Sequence, residues 1–231
     1  LYKSEKYIMD KVKAFIINYN RLTLPKNMIE YLSDVDGIDP IIVDNNSDYP
    51  PLLEWYESCP FKIIRLKDNF GNCVVFRPDS GILNEFGLET DGRFIITDPD
   101  LDLSGIPKDF MHILHLGLDR HQFACKSGFS LMINDLPDNE VTKEVLQWET
   151  GYWSNKLDEY FYSAFIDTTF CLMRKNYHDF PSVRTGMPYT AIHKPWYYTK
   201  DNIPEDELYY LNSIMRQQSC YSEKILRMVN K

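Results

Sequence analysis

The segment Arg93-Phe94-Ile95-Ile96-Thr97-Asp98-Pro99-Asp100-Leu101-Asp102 joins a short apolar run to three alternating carboxylates. Phe94 to Thr97 are aromatic or β-branched, which suits a buried strand. Carboxylates alternating at a strand end can converge on one hard cation through oxygen ligands. A cation so held neutralises a diphosphate and stabilises it as a leaving group. Asp98 and Asp100 are therefore the first candidates for metal ligands. Asp102 suits a helper or a helix cap better than a ligand.

Three other chemistries compete for the same segment. A haloacid-dehalogenase-like phosphohydrolase also places a nucleophilic Asp after an apolar strand, in an Asp-x-Asp motif. It expects Thr or Val where Asp102 stands, and usually carries the motif on its first strand. A calcium loop would use Asp98, Asp100, Asp102 and Asp109 at positions 1, 3, 5 and 12. Leu103 then occupies the glycine position, Asp109 replaces Glu, and a strand rather than a helix comes before. The third alternative is a solvated acidic turn that caps the next helix. The place of the segment in the chain favours the diphosphate chemistry.

Working outward, residues 13–20 (Lys-Ala-Phe-Ile-Ile-Asn-Tyr-Asn) read as a buried strand ending in polar residues. Thr23-Leu24-Pro25 starts a helix carrying Met28, Ile29, Leu32 and Val35, and Gly37 can stop it. Pro40-Ile41-Ile42-Val43 is a second strand, ending at Asp44-Asn45-Asn46-Ser47. Pro50-Pro51 opens another helix. Phe61-Lys62-Ile63-Ile64 is a third strand, followed by Asp68-Asn69-Phe70-Gly71-Asn72, and a helix is expected near residues 80–86. In open parallel sheets ligands bind at the carboxyl ends of such strands. Downstream, residues 107–118 and 140–149 read as helices, 123–133 and 160–174 as longer strands, and the tail from Pro204 as helical, ending in Lys and Arg. The pattern is α/β: a nucleotide-binding half, then a mixed-sheet half that could shape an acceptor pocket.

Bulk properties bound the function. The 231 residues suit one domain, and 44% hydrophobic content is that of a globular chain. The net charge of -9 and the lack of a Lys/Arg run argue against nucleic acid as a partner. Sixteen Tyr, 13 Phe and 4 Trp can fill a core or wall a sugar site. Cys59, Cys73, Cys125, Cys171 and Cys220 are odd in number and lack Cys-x-x-Cys spacing, so a reducing, cytoplasmic setting fits best. No apolar run reaches the roughly 20 residues of a membrane span. The start, residues 1–13, is charged and lacks a signal-peptide core. It opens on Leu1 rather than Met, which leaves room for flanking domains outside this sequence.

Taken in order, four segments resemble the family-2-like glycosyltransferases of the GT-A fold. Ile16-Ile17-Asn18-Tyr19-Asn20-Arg21 looks like the family's first strand, which ends at the nucleotide. Ile42-Val43-Asp44-Asn45-Asn46-Ser47 looks like its Val-Asp-(Asn/Asp)-x-Ser segment, whose Asp contacts the base. Asn69-Phe70-Gly71 is similar to its Asn-x-Gly segment. Thr97-Asp98-Pro99-Asp100 falls where the family has its metal- and ribose-binding Asp-x-Asp. More loosely, the chain resembles small viral and bacterial transferases that build surface glycans. Downstream, residues 164–174 look like the strand beside the acceptor, and Ala191-Ile192-His193-Lys194-Pro195-Trp196-Tyr197 resembles a His-x-Pro-Trp segment of some members. The family's Glu-Asp pair, which holds a catalytic carboxylate, has no clear counterpart.

The resemblance implies a GT-A-type, Rossmann-like mixed sheet flanked by helices, in one domain over residues 1–231. Residues 12–103 would form the nucleotide-sugar half, 104–200 the acceptor half and 201–231 the C-terminal helices. Asn18, Asn20, Arg21, Asp44, Asn69 and Asp98 would then line the nucleotide sugar, and Asp100, Asp98 and His193 the metal. Asp44, Asn20 and Arg21 are equally plain turn residues. Asp167 interrupts an apolar run and is the first candidate for the base that deprotonates the acceptor hydroxyl. The alternative is a buried Asp bonded to neighbouring backbone. Glu149, among Trp148, Tyr152 and Trp153, is the second candidate, or an exposed helix residue beside core aromatics. Arg184, in a glycine-containing stretch, could bind phosphate oxygens from a mobile loop, or simply be solvated. His193 could equally be structural. Trp196 and Tyr197 could stack on the acceptor or pack in the core.

The expected activity is a metal-dependent, inverting glycosyltransferase (hexosyl or deoxyhexosyl). The donor would be a nucleotide-diphosphate sugar, with UDP favoured, and the acceptor a glycan or glycoprotein. Mn or Mg is the implied cofactor. A nucleotidyltransferase of related fold usually has a Gly-rich loop after its first strand, and residues 18–25 contain no Gly. A carbohydrate-binding module would explain the aromatics but not the ordered strand-end motifs.

Overall fold

The strands expected from the apolar runs of the N-terminal half form a parallel sheet. The computed structural model describes residues 11–88, 92–174, 181–215 and 220–229. The charged start at residues 1–10 and the closing Lys231 lie outside them. In chain order the first half contains β1 (Val12–Asn18), α1 (Thr23–Ser33), β2 (Ile38–Asp44), α2 (Pro50–Ser58), β3 (Lys62–Arg65), α3 (Ile82–Glu85) and β4 (Phe94–Thr97). The second half contains β5 (Leu101–Asp102), α4 (Phe110–Arg120), β6 (Lys126–Leu131), α5 (Glu140–Tyr152), β7 (Phe161–Ser163), β8 (Cys171–Met173) and β9 (Ser182–His193). Two helices, α6 (Glu205–Met215) and α7 (Cys220–Val229), close the chain.

The sheet order is β3-β2-β1-β4-β8-β6-β9-β5, with β7 paired to β9. The first four strands are parallel, and β8 joins antiparallel to β4 and to β6. Strands buried on both faces read as continuous apolar runs, with alternate residues serving opposite faces. Ala14 and Ile16 of β1 face a core with Ile29, Leu32 and Phe110, whereas Phe15 and Ile17 face a second core with Val74, Ile82 and Phe94. The fold is α/β, with a Rossmann-like parallel half continued by a mixed sheet and flanked by helices. Among the described residues no helix is long and apolar enough to cross a membrane.

Two expectations fail in the second half. Residues 160–174 are not one strand. β7 pairs with β9, whereas β8 sits between β4 and β6. The intervening residues 164–170 must therefore leave the ladder and cross both β9 and β6. The glycine-containing stretch around Arg184 is not a mobile loop but part of β9, a strand of 12 residues. Gly186 and Pro188 disguised it, because such residues mark interruptions of a ladder. The ladder does slip there: Thr185 pairs with Phe129, but the next β6 residue, Ser130, pairs with Thr190.

Candidate active site

The register puts Asn18 opposite Asp44 and Thr97 opposite Ile16, so the carboxyl ends of β1, β2 and β4 form one edge. A cavity of about 610 Å³ opens at that edge. Its walls include Asn18, Tyr19, Arg21, Asn45, Asn69, Asp98, Asp100 and Asp167. Asn69 lies on an exposed turn and accepts a bond from the Gly71 N–H at 2.9 Å. Asn18 donates to the Arg21 carbonyl at 2.8 Å, and its own Oδ1 is buried without a partner among the described residues.

Two of the expected nucleotide contacts stand back from this cavity. Asp44 is fully buried: Oδ1 accepts from the Tyr56 hydroxyl at 3.1 Å and Oδ2 from the Ser47 N–H at 3.2 Å. Its carboxylate is used to turn the chain at the end of β2. Asn20 is also fully buried, with φ +55°, a left-handed conformation that Asn tolerates. Its Oδ1 accepts from the N–H groups of Asp48 and Tyr49, and its Nδ2 donates to Asp48 at 2.8 Å. It thus ties the turn after β1 to the turn after β2.

Arg21 reaches the cavity as a buried cation held from three sides. Glu207 of α6 takes its Nε at 2.6 Å and a terminal nitrogen at 2.9 Å. Tyr210 stacks on the guanidinium at 3.3 Å, and Asp100 Oδ2 lies 3.3 Å from it. The same helix caps α1 from a distance. Asp206 accepts from the N–H groups of Leu22 and Thr23, both at 2.7 Å, where α1 has no cap from its own N-cap side chain.

Three carboxylates share the floor. Asp98 is half-buried, and its pKa lies well above the usual carboxylate range. Burial is the main cause, followed by the charges of Asp100 and Asp167, with a bond from Thr168 opposing. Asp100 is buried, and its Oδ1 has no partner among the described residues. His193 Nε2 lies 3.6 Å from Asp100 Oδ2. Burial keeps that imidazole neutral, outweighing the attraction of Asp100. The expected set of Asp98, Asp100 and His193 does not close into a metal cage. Among the described residues, no three His, Cys, Asp or Glu side chains are so gathered. The reason is local: Asp100 Oδ2 already faces Arg21 and His193. What remains is the orphaned Asp100 Oδ1 together with Asp98. Such a donor set suits Mg or Mn, which bind through one or two carboxylates and complete their shell with waters and phosphate oxygens.

A second cavity of about 210 Å³ adjoins the first and shares Asp98 and Asp167 with it. Trp148, Tyr152, Phe165 and Trp196 supply aromatic walls, and Glu149, Arg184 and His193 also line it. Asp167 is not a buried residue of a strand. It sits solvent-accessible on the crossing loop. Burial against the cavity floor would raise its pKa, but bonds from the Thr169 hydroxyl at 2.6 Å and N–H at 2.9 Å, with the Arg184 charge, bring it below the usual range. Glu149 is buried and pairs with Arg184 at 3.0 Å; burial nonetheless raises its pKa. Arg184 is a buried β9 residue, not part of a mobile loop, and lines the second cavity instead of the first. Its Nε donates to the Phe165 carbonyl at 2.7 Å.

Sequence reasoning missed Asn45, Asp206, Glu207 and Tyr210. Asn45 carries a visible signal beside Asp44: its amide accepts from Phe70 N–H at 3.1 Å and donates to the Gly71 carbonyl at 2.8 Å. The α6 residues carry none, since their partners lie about 185 positions away in sequence. No protein-family model matches the chain, and no curated protein matches it. Among solved structures it is similar to the mannosyltransferase PcManGT from Pyrobaculum calidifontis in complex with GDP-Man and Mn2+. The TM-score is 0.49 and the identity 10%, covering 94% of this chain and 78% of that one.

Proposed function

We propose that this chain is a metal-dependent glycosyltransferase that moves a sugar from a nucleotide-diphosphate sugar to a glycan or glycoprotein acceptor. The observation that carries this reading is the pair of adjoining cavities with Asp98 and Asp167 in common. The larger one has the place, size and amide lining for a nucleotide. The smaller one has the volume of about one sugar ring and aromatic walls of the kind that stack on sugars.

Asp98 and Asp100 would hold a divalent cation, which when bound supplies positive charge to the diphosphate. Asn18, Asn69 and the Asn45-braced turn would contact the nucleoside. Arg21, held by Glu207, sets the position of Asp100 and adds fixed positive charge nearby. Asp44 and Asn20 act indirectly, by shaping the strand-end turns. Asp167 is ionised, accessible and at the junction, so it is the better base. Glu149 is engaged by Arg184 and positions it. The acceptor hydroxyl oxygen would bond to the anomeric carbon as the bond to the diphosphate oxygen breaks. Asp167 takes the hydroxyl proton, and the nucleoside diphosphate leaves. One carboxylate at the junction suffices for a single displacement with inversion.

The test is hydrolysis of a panel of nucleotide sugars, UDP-sugars first, with Mn or Mg, by the wild type and Asp100→Ala. Wild type should hydrolyse at least one donor and the variant about 100-fold less. Equal rates across the panel, or no nucleotide binding by either protein, would sink the reading. Asp167→Asn should keep donor affinity while losing transfer by a similar factor. Equal loss of both would make Asp167 structural.

A further inference from the structure

Lys126 is fully buried in β6, an unusual place for an ammonium group. Its Nζ donates to the carbonyls of Ile166 at 2.8 Å and Asp167 at 3.2 Å. Those carbonyls belong to the loop that crosses β9 and β6 to present Asp167. The neighbouring carbonyls are held in the same way. The Ser182 hydroxyl donates to Ala164 at 2.7 Å, and Arg184 Nε to Phe165. Four consecutive carbonyls, 164 to 167, are therefore fixed by side chains rather than by a β-ladder. Ser182 Oγ also accepts from the Ile166 N–H at 3.0 Å. The underlying strand permits the close crossing at Gly128, where a Cβ would meet the Phe170 carbonyl oxygen at 2.2 Å.

We infer that Lys126 is a positioning residue for the transfer reaction, holding the loop so that the Asp167 carboxylate stands between the two cavities. A buried ammonium bonded to two carbonyls is a strong, charge-assisted anchor. It sits under the loop that carries Asp167 onto the walls of both cavities. The geometry of a base matters steeply, since a displacement of about 1 Å can reduce turnover about 100-fold. This inference rests on the glycosyltransferase reading for its chemical meaning, but its structural half can be measured without any substrate.

The experiment compares the wild type, Lys126→Met and Lys126→Arg. Lys126→Met keeps a side chain of similar length without the donor; Lys126→Arg keeps a charged donor. Amide exchange of Ile166 and Thr169 should quicken by about tenfold or more in Lys126→Met, since a charge-assisted anchor of the loop is lost. Transfer kcat should fall about 100-fold with donor KM within about threefold, and Lys126→Arg should recover about tenfold of it. Loop exchange at the wild-type rate, or a rise in KM with unchanged kcat, overturns the assignment. If Lys126→Met does not fold, Lys126→Gln, a shorter neutral donor, is compared on the same measures. Wild-type donor hydrolysis is assayed beforehand. Its absence removes the glycosyltransferase reading, while the exchange result still decides whether Lys126 fixes the loop.

Discussion

Asp98 is held partly out of water beside Asp100 and Asp167, and its folded form binds a proton more readily than its unfolded form. The folded pKa lies above the unfolded one, so stability from this group is present at low pH and falls as pH rises from the unfolded value, about 4, through the folded one. Replacing the carboxylate by an amide removes that penalty. Asp98→Asn should therefore melt a few degrees above wild type at neutral pH without metal, and the gap should close as pH approaches about 4. Saturating Mn should raise the wild-type midpoint by linkage and leave the variant where it was. Thermal melts across pH, with and without Mn, read both effects. Identical midpoints throughout would mean that Asp98 is an ordinary solvated aspartate.

At the scale of elements, α6 is a brace whose removal should show up in stability. Glu207→Ala leaves the Arg21 guanidinium buried with Asp100 as its remaining ion-pair partner, a type of change that costs about 3–5 kcal/mol. Asp206→Ala strips the cap from α1 and should cost about 1–2 kcal/mol. Urea denaturation midpoints measure both; a Glu207→Ala loss no larger than that of Asp206→Ala would show that Arg21 is not held by this pair. The brace was illegible in the sequence because Glu205-Asp206-Glu207 reads simply as an acidic helix start. By contrast β1, β2 and β4 were legible, because strands buried on both faces must be apolar throughout and must end in polar residues where the sheet stops. The same logic misled at residues 160–174. Ile166 and Phe170 are apolar because a loop buries them as it crosses the sheet, and Phe165 because it walls the smaller cavity; hydrophobicity does not distinguish such a loop from a strand. Asp98 and Asp100 stand out in the sequence as alternating carboxylates at a strand end, and Asp167 because it interrupts an apolar run. The engagement of Asp44 and Asn20 was hidden, since a turn-forming carboxylate or amide looks the same in sequence whether or not it faces a ligand.

Across the whole molecule, the strand ends of the parallel half supply most of the larger cavity, with Asp167, Thr168 and Tyr210 added from the second half. Apart from Asp98 the second half lines the smaller one, and Asp98 and Asp167 lie on both walls. On the proposed transferase reading, such a layout would separate the binding of two substrates from the step that joins them. A change deep in one cavity should alter one KM alone, and a change at the shared wall should alter kcat. Asn45→Ala releases the turn at Phe70 and Gly71 and should raise donor KM by roughly tenfold, the value of a lost buried hydrogen bond or two. Trp148, 41% exposed, lines the smaller cavity, where on the proposed reading its ring would meet the acceptor. Trp148→Ala should raise acceptor KM by roughly fivefold to tenfold through lost stacking, with donor KM unmoved. Because the two side chains line different cavities, the double variant should show the product of the single effects. Steady-state kinetics with both substrates varied provides the check. If Trp148→Ala raised donor KM instead, the smaller cavity would belong to the donor sugar and the acceptor would have to approach from elsewhere.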